Sequence, residues 1–219
     1  MYHDFRIGFC ISGTGRLFRA AANHKDQLQI EPALVVAETK VADDVEPFCA
    51  THKIPLFRLP SHKRRQEFDE QLTQICTAAK LDLLCLTFDK IVPVELVNYY
   101  CGRIINVHMG LLPAFPGRLG IEQALNAHVR FAGATIHEVD ETVDTGAIIA
   151  QCVVGVHKND TPESFGKRLF GPLSLMHLQV LAWYAEGRVT KDGQGNIWVR
   201  DAFYGEFPIS PTVELSFPD

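Results

Sequence analysis

Short apolar runs alternate with amphipathic stretches along the first half of the chain, and their spacing predicts which are strands and which are helices. Phe5 to Ile11 is an apolar run ending in "SGTG", and "RLFRAAANHK" behind it has helical spacing, so the start reads as strand, tight turn and helix. "PALVVAE" (Pro32 to Glu38) predicts a second buried strand and "IPLFRL" a third. A long amphipathic helix follows around Arg65 to Ala79 with Phe68, Leu72, Ile75 and Cys76 on one face, and "LDLLCLTF" (Leu81 to Phe88) predicts a fourth strand. Arg103 to His108 is the next strand, and "GIEQALNAH" makes a short helix after it. Strands and helices in this alternation imply βαβ units, hence an α/β, Rossmann-like fold with a mostly parallel twisted sheet covered by helices on both faces.

A change of style follows. "FAGATIHEVDETVDTGAIIAQCVVGV" holds two strands joined by a short polar loop with glycine, which suits an antiparallel C-terminal extension of the sheet. Thr161 is placed as an N-cap, with Pro162 at the first helical position and Glu163 in the first turn of a long, largely buried helix that Gly171-Pro172 should bend. Val180, Leu181, Trp183 and Tyr184 read as its core face. "VTKDGQGNIWVR" predicts a hairpin around Asp192 to Asn196, and the proline-rich end is expected to be extended. The organisation expected is one catalytic domain over residues 1–205 and a tail over 206–219.

Composition narrows the function classes. With 219 residues the chain can bury a substantial core, and 21 Lys and Arg against 26 Asp and Glu give a net charge of −5. No basic stretch offers a phosphate-backbone track; "KRR" at Lys63 to Arg65 is too short and reads as a solvated helix start. No secretory signal and no run of membrane-spanning length is evident, so a soluble, cytoplasmic protein is expected. Six cysteines (Cys10, Cys49, Cys76, Cys85, Cys101, Cys152) form no C-x-x-C pair and are expected to be buried free thiols.

The chemistry concentrates in "IINVHMGLLPAFPG", residues 104–117. Residues two apart on a strand share a face, so Asn106 and His108 project together at the carboxyl end of a parallel strand, where open α/β sheets bind ligands. An amide is a neutral donor suited to an oxyanion, and an imidazole titrates near neutral pH; together they could stabilise a tetrahedral intermediate. Neither is a strong nucleophile there, which favours group transfer to an acceptor from a substrate. A carboxylate beside the imidazole would favour its charged form, and Asp140, Glu141 and Asp144 of "DETVDTG" are the available partners.

"NVHMGLLPAFPG" followed by "GATIHEVDETVDTGAII" resembles the folate-dependent formyltransferases, above all their glycinamide ribonucleotide transformylase branch, from about Phe5 to Arg188. The resemblance implies the formyltransferase fold, a catalytic trio of Asn106, His108 and Asp144, and 10-formyltetrahydrofolate as co-substrate. It places the pterin between the loop Phe88, Asp89, Lys90, Ile91, Val92 and the loop from Asp140 to Asp144, and makes Leu112-Pro113 cis. It also puts Gly13, Thr14, Gly15, Arg16, Gly110, Phe170 and Leu173 on the side of a small-molecule amine substrate. Here the chain departs from its relatives. Met109-Gly110 stands for the usual Pro-Ser, Arg16 and Leu17 for Ser-Asn, and Leu173 for a glutamate that contacts the substrate amine. An apolar pair at Phe170 and Leu173 leaves a charged ammonium unpaired, so an altered acceptor, such as an amino sugar or a modified amino acid, is expected.

Three rival functions remain open. Gly13-x-Gly15 with Glu38 mimics a dinucleotide fingerprint, but Phe18 fills the place of its third glycine. Hydrolysis of the same folate donor needs only water as acceptor, and a non-catalytic folate- or nucleotide-binding module would keep the fold alone. No metal is expected, since Asn106 is a poor ligand and no second histidine stands at ligand spacing. His137 is expected to be hydrogen-bonded structure near the site; His3, His24, His52, His62, His128, His157 and His177 are expected to be surface or packing residues. No nucleic-acid or membrane partner is expected, and a homodimer is left open.

Overall fold

The computed structural model describes residues 5–59, 64–88 and 90–216, with the backbone alone at residues 39 and 40. The expectations for His3, His62, Lys63 and Asp89 therefore lie outside the described residues. The backbone divides into two compact units, Met1–Asn106 and Val107–Asp219. The architecture is α/β and Rossmann-like, with parallel pairing in the first unit and antiparallel pairing in the second.

In the first unit, β1 (Phe5–Gly13) runs into α1 (Arg16–Asn23) and the single turn α2 (Lys25–Leu28); β2 (Ile30–Val41), α3 (Val45–His52), β3 (Leu56–Leu59), α4 (Arg65–Ala78), β4 (Leu83–Thr87) and α5 (Val94–Tyr99) follow, and then β5 (Ile104–His108), whose last two residues belong to the second unit. The strands are ordered β5-β4-β1-β2-β3 and pair in parallel, with Phe9 between Val35 and Cys85. Ile7 to Ile11 and Leu83 to Leu86 are buried without alternation, because a strand covered on both faces has no polar side to present. Gly13 and Gly15 adopt φ near +60°, a turn that a side chain would strain, and this lets the chain fold straight back into α1. Phe18 of α1 then packs on Phe9 and Phe48, a burial that stabilises by about 2 kcal/mol.

The predicted apolar face of α4 is present: Phe68, Leu72 and Cys76 are buried and Ile75 is half-buried. The end of this helix is held by Tyr100, whose hydroxyl donates to the Cys76 carbonyl at 2.6 Å and accepts from Leu81 N–H at 3.4 Å. Burial pushes that phenol up to about 12. The sequence predicted neither α3 nor α5, both of which are short helices without a long apolar period. One thiol corrects the expectation of six buried cysteines, since Cys101 is exposed in the turn after α5.

In the second unit, α6 (Gly120–Asn126) leads to β6 (Phe131–Glu138), β7 (Ile148–Gly155), α7 (Pro162–Ala185), the hairpin β8 (Val189–Lys191) and β9 (Ile197–Val199), and β10 (Ile209–Ser210). The order β10-β7-β6 is antiparallel, with Ala134 opposite Cys152 and Ile209 on its other side. Thr161 caps α7: its hydroxyl accepts from Ser164 N–H at 3.2 Å while Ser164 Oγ accepts from Thr161 N–H at 3.0 Å. The helix runs unbroken through Gly171 and Pro172 to Ala185 although Pro172 removes one donor from its ladder. Trp183, Val180 and Leu181 are buried in the core as expected, while Tyr184 is half-buried.

The segment expected as an extended tail is held to the rest of its unit. Besides β10, the N–H groups of Glu214 and Leu215 both donate to the buried Gln179 Oε1 at 2.7 Å, and Arg188 holds Glu214 through both carboxylate oxygens. No helix among the described residues is long and apolar enough to cross a membrane.

Candidate active site

In the first unit, Gly13, Thr14 and Arg16 are exposed at the turn into α1, whose cap residue Gly15 uses no side chain. The first N–H groups of a helix lack intrahelical partners, so this turn offers donors to an anion. Leu17 takes no part in that surface: it is 9% exposed and belongs to the core beside Phe18. Of the expected folate loop, Phe88 and Val92 are buried and Ile91 is exposed, its carbonyl accepting from Arg65 Nη2 at 2.7 Å. Lys90 Nζ lies 3.7 Å from Glu38 Oε2, so the carboxylate that a dinucleotide fold aims at a ribose faces an ammonium. Asn106 is half-buried on β5 opposite Leu86.

The second unit assembles an imidazole–carboxylate–imidazole group. His108, 6% exposed at the tip of β5, has Nδ1 3.3 Å from Asp144 Oδ2 and donates from Nε2 to the Phe115 carbonyl at 2.8 Å. Asp144 accepts from Gly117 N–H at 2.7 Å, and its other oxygen lies 3.6 Å from His137 Nε2. His137 Nδ1 donates to the Glu138 carbonyl at 2.8 Å. Burial outweighs that bond and the attraction of Asp144, and it holds His137 below the ordinary histidine range. Asp144 itself has φ of +57°, a left-handed conformation that an Asp tolerates better than most residues.

The loop after β5 is fixed from behind. Thr135, fully buried on β6, donates its hydroxyl to the Gly110 carbonyl at 2.7 Å and accepts from Leu112 N–H and Gln151 Nε2, each at 3.0 Å. Gln151 also donates to the Leu112 carbonyl at 2.8 Å, and the Leu112-Pro113 bond is cis. One hydroxyl thus uses its single proton and both lone pairs. The sequence reading missed Thr135 and Gln151. Their signal was a pair of polar residues directly opposite each other in register, with Gln151 standing among apolar residues in β7.

Asp140 turns its carboxylate onto its own loop. It accepts from Thr142 N–H and from the Thr142 and Thr145 hydroxyls, each at 2.9 Å, and those two hydroxyls are also in contact. Against the opposing effect of burial, these bonds hold its carboxyl below the usual range. Of the expected acceptor residues in this unit, Phe170 is half-buried and Leu173 is 2% exposed on α7. Gly110 sits against the ring of His108. Among the described residues no group of three or more His, Cys, Asp or Glu could hold a metal ion.

A model of the formyl transferase family matches residues 5–174. The chain belongs to that family. It is a folate-dependent formyltransferase domain, and the family's formyl donor is 10-formyltetrahydrofolate. The chain is 34% identical over 163 residues to the phosphoribosylglycinamide formyltransferase of Bacillus subtilis, covering 72% of this chain and 83% of that one. It spans as little as 13% of other curated relatives that it matches. Glycinamide ribonucleotide transformylase 1 from Symbiobacterium toebii superposes with a TM-score of 0.83 at 29% identity, over 92% of this formyltransferase and 96% of that chain. A formyltetrahydrofolate deformylase from Pseudomonas syringae also reaches 0.83, at 25% identity over 91% and 67%.

Proposed function

We propose that this formyltransferase moves the formyl group of 10-formyltetrahydrofolate to the amine of a small molecule other than glycinamide ribonucleotide, with an anionic group and a more apolar body. The amine nitrogen attacks the formyl carbon, and the oxyanion that forms is stabilised by Asn106 and by the positive charge on His108. Asp144 takes the proton shed by the new ammonium and passes it to the folate nitrogen as the bond from carbon to that nitrogen breaks.

The observation that carries the chemical step is the 3.3 Å separation of His108 Nδ1 and Asp144 Oδ2. The altered acceptor is supported by Leu173, which is apolar and 2% exposed where the resemblance expects a glutamate. An anion on the acceptor is supported by the exposed residues Gly13, Thr14 and Arg16 at the turn into α1. The same reading takes residues 1–205 as one catalytic domain acting in the cytoplasm, as a monomer or homodimer.

The test is formyl consumption from 10-formyltetrahydrofolate across a panel of amines that includes glycinamide ribonucleotide, with Asp144→Asn as the dead control. Turnover with an amino sugar or a modified amino acid, and little with the ribonucleotide, is expected. Robust turnover with the ribonucleotide overturns the altered acceptor while leaving formyl transfer intact. Likeness to a deformylase supports a second reading in which water is the acceptor. It is distinguished in the same assay by formate release with no amine present.

A further inference from the structure

The loop that carries Asp144 runs between Glu138, the last residue of β6, and Ile148, the first of β7. Three contacts at its base converge on Glu138. The Glu138 N–H donates to the Ala147 carbonyl at 2.9 Å, and the Glu138 carbonyl accepts from His137 Nδ1 at 2.8 Å. The same carbonyl lies against Gly146, where an added Cβ would fall 1.8 Å from its oxygen. The pairing of β6 with β7 shifts register between Ile136 and His137, so the regular ladder ends just before this base and does not fix it alone.

The side chain of Glu138 adds what the ladder does not supply. Neighbours on a strand face opposite ways, so while His137 turns toward Asp144, the Glu138 carboxylate turns to the other face of the sheet. There its Oε2 meets Lys191 Nζ at 2.6 Å; the side chain of Glu138 is 12% exposed and that of Lys191 49%. An ion pair between mobile surface side chains contributes little, but this lysine is presented by a fixed hairpin. Lys191 of β8 pairs with Ile197 of β9, and Ile197 and Val199 are buried. The turn beyond is closed by the Asp192 carboxylate, which accepts from the N–H groups of Gln194 and Asn196, each at 2.9 Å, and from Trp198 Nε1 at 3.0 Å. Without the ammonium, a nearly buried carboxylate loses its counter-charge, and the strand end that bears it must move to reach water.

We propose that Lys191 is a positioning residue for formyl transfer: by holding the Glu138 carboxylate it fixes the base of the Asp144 loop and the carbonyl that seats His137. Lys191 lies beyond residue 174, where the match to the formyl transferase family ends, so the hairpin supports the site from outside the matched segment. Resting on the formyl-transfer reading, this gives β8 and β9 a part in the reaction without contact with the substrate.

The experiment uses the full chain in wild-type, Lys191→Met, Lys191→Arg and Lys167→Met forms and as the double variant Glu138→Gln with Lys191→Met. Each is read by kcat and KM with the acceptor that the amine panel identifies. Each is also read without substrate by the His137 ring signals of 15N-histidine-labelled protein, assigned with His137→Asn. Lys191→Met should shift or split those signals and lower kcat roughly tenfold with KM changed less than about twofold, a smaller loss than the roughly 100-fold of a reacting group misplaced by about 1 Å. Lys191→Arg keeps the charge and should preserve both readings. Lys167→Met removes an exposed ion pair with Glu163 on α7 and should change neither. The double variant leaves no buried charge unpaired, so it decides if Lys191→Met does not fold, and it should show the same losses. A wild-type kcat or unchanged His137 signals on loss of the pair overturns the proposal, and so does a Lys191→Arg protein that loses as much as Lys191→Met. A wild-type protein that transfers no formyl group defeats the functional reading instead, while the ring signals still decide whether Lys191 seats His137.

Discussion

The two units bury different chemistry. Among the described residues, the core of the first is mostly hydrocarbon and thiol, with Cys10, Cys49, Cys76 and Cys85 buried, the Tyr100 hydroxyl bonded to backbone and Glu38 at 9% exposure its one buried charged residue. The second buries His108, Thr135, His137, Glu138, His177 and Gln179. Apolar packing is nearly indifferent to direction, so it gives a stiff scaffold that depends on volume. Buried polar groups are satisfied only at particular angles, and each of them fixes the backbone that it bonds. Thr135 fixes residues 110–112, and Gln179 fixes the C-terminal segment. The lesson is that the imidazole–carboxylate group lies in the unit whose interior is built from directional bonds, where position is held most closely.

Substitutions should separate the two cores. The largest effect is expected from Asp144→Asn. Asn tolerates the left-handed backbone and can still accept from Gly117, so the fold should survive while formyl transfer falls about 1,000-fold, measured as kcat. An unchanged kcat would remove Asp144 from the chemistry. Leu72→Ala in the first unit should do the opposite, costing about 3 to 4 kcal/mol in urea unfolding with kcat per folded molecule unchanged, since it opens a cavity in a core remote from polar chemistry.

Acid should discriminate next. Burial pushes His177 down to about 4 from its ordinary 6.5, so the folded chain keeps it neutral where the unfolded chain binds a proton. Its contribution is therefore complete above pH 6.5 and is lost as pH falls toward 4, by about 3 kcal/mol in all. His177→Leu should flatten the dependence of unfolding free energy on pH over that window, and equal slopes for variant and wild type would refute the assignment. Smallest is Thr135→Val, which leaves the Gly110 carbonyl and the Leu112 N–H without their hydroxyl partner and should cost about 2 kcal/mol. Unlike Leu72→Ala it should also lower kcat, because the loop after β5 carries the contacts of His108 and Asp144. A fall in stability alone would mean that the loop keeps its place without Thr135.

Much of this molecule was legible in its sequence, for reasons that differ by element. The period of α4, the unbroken apolar runs of β1 and β4, and the cap at Thr161 are local signals, decided within a few residues by side-chain direction and backbone donors. Asn106 and His108 could be singled out because a strand forces residues two apart onto one face. Asp140, Glu141 and Asp144 were equivalent as letters, and only resemblance chose among them. The structure gives the physical distinction, since Asp140 is occupied by two threonines of its own loop while Asp144 meets both histidines.

The sequence by itself determined the elements, their class and the residue types available for chemistry, because periodicity and capping act over one or two turns of chain. Tertiary structure alone decided that Gly110 is a space beside a ring, that Thr135 and Gln151 hold a loop about twenty to forty residues away in sequence, and that each imidazole has one nitrogen on a carbonyl and one toward Asp144. Those facts depend on which atoms of distant segments meet, and a hydrogen bond is set by distance and angle, neither of which a one-dimensional pattern contains.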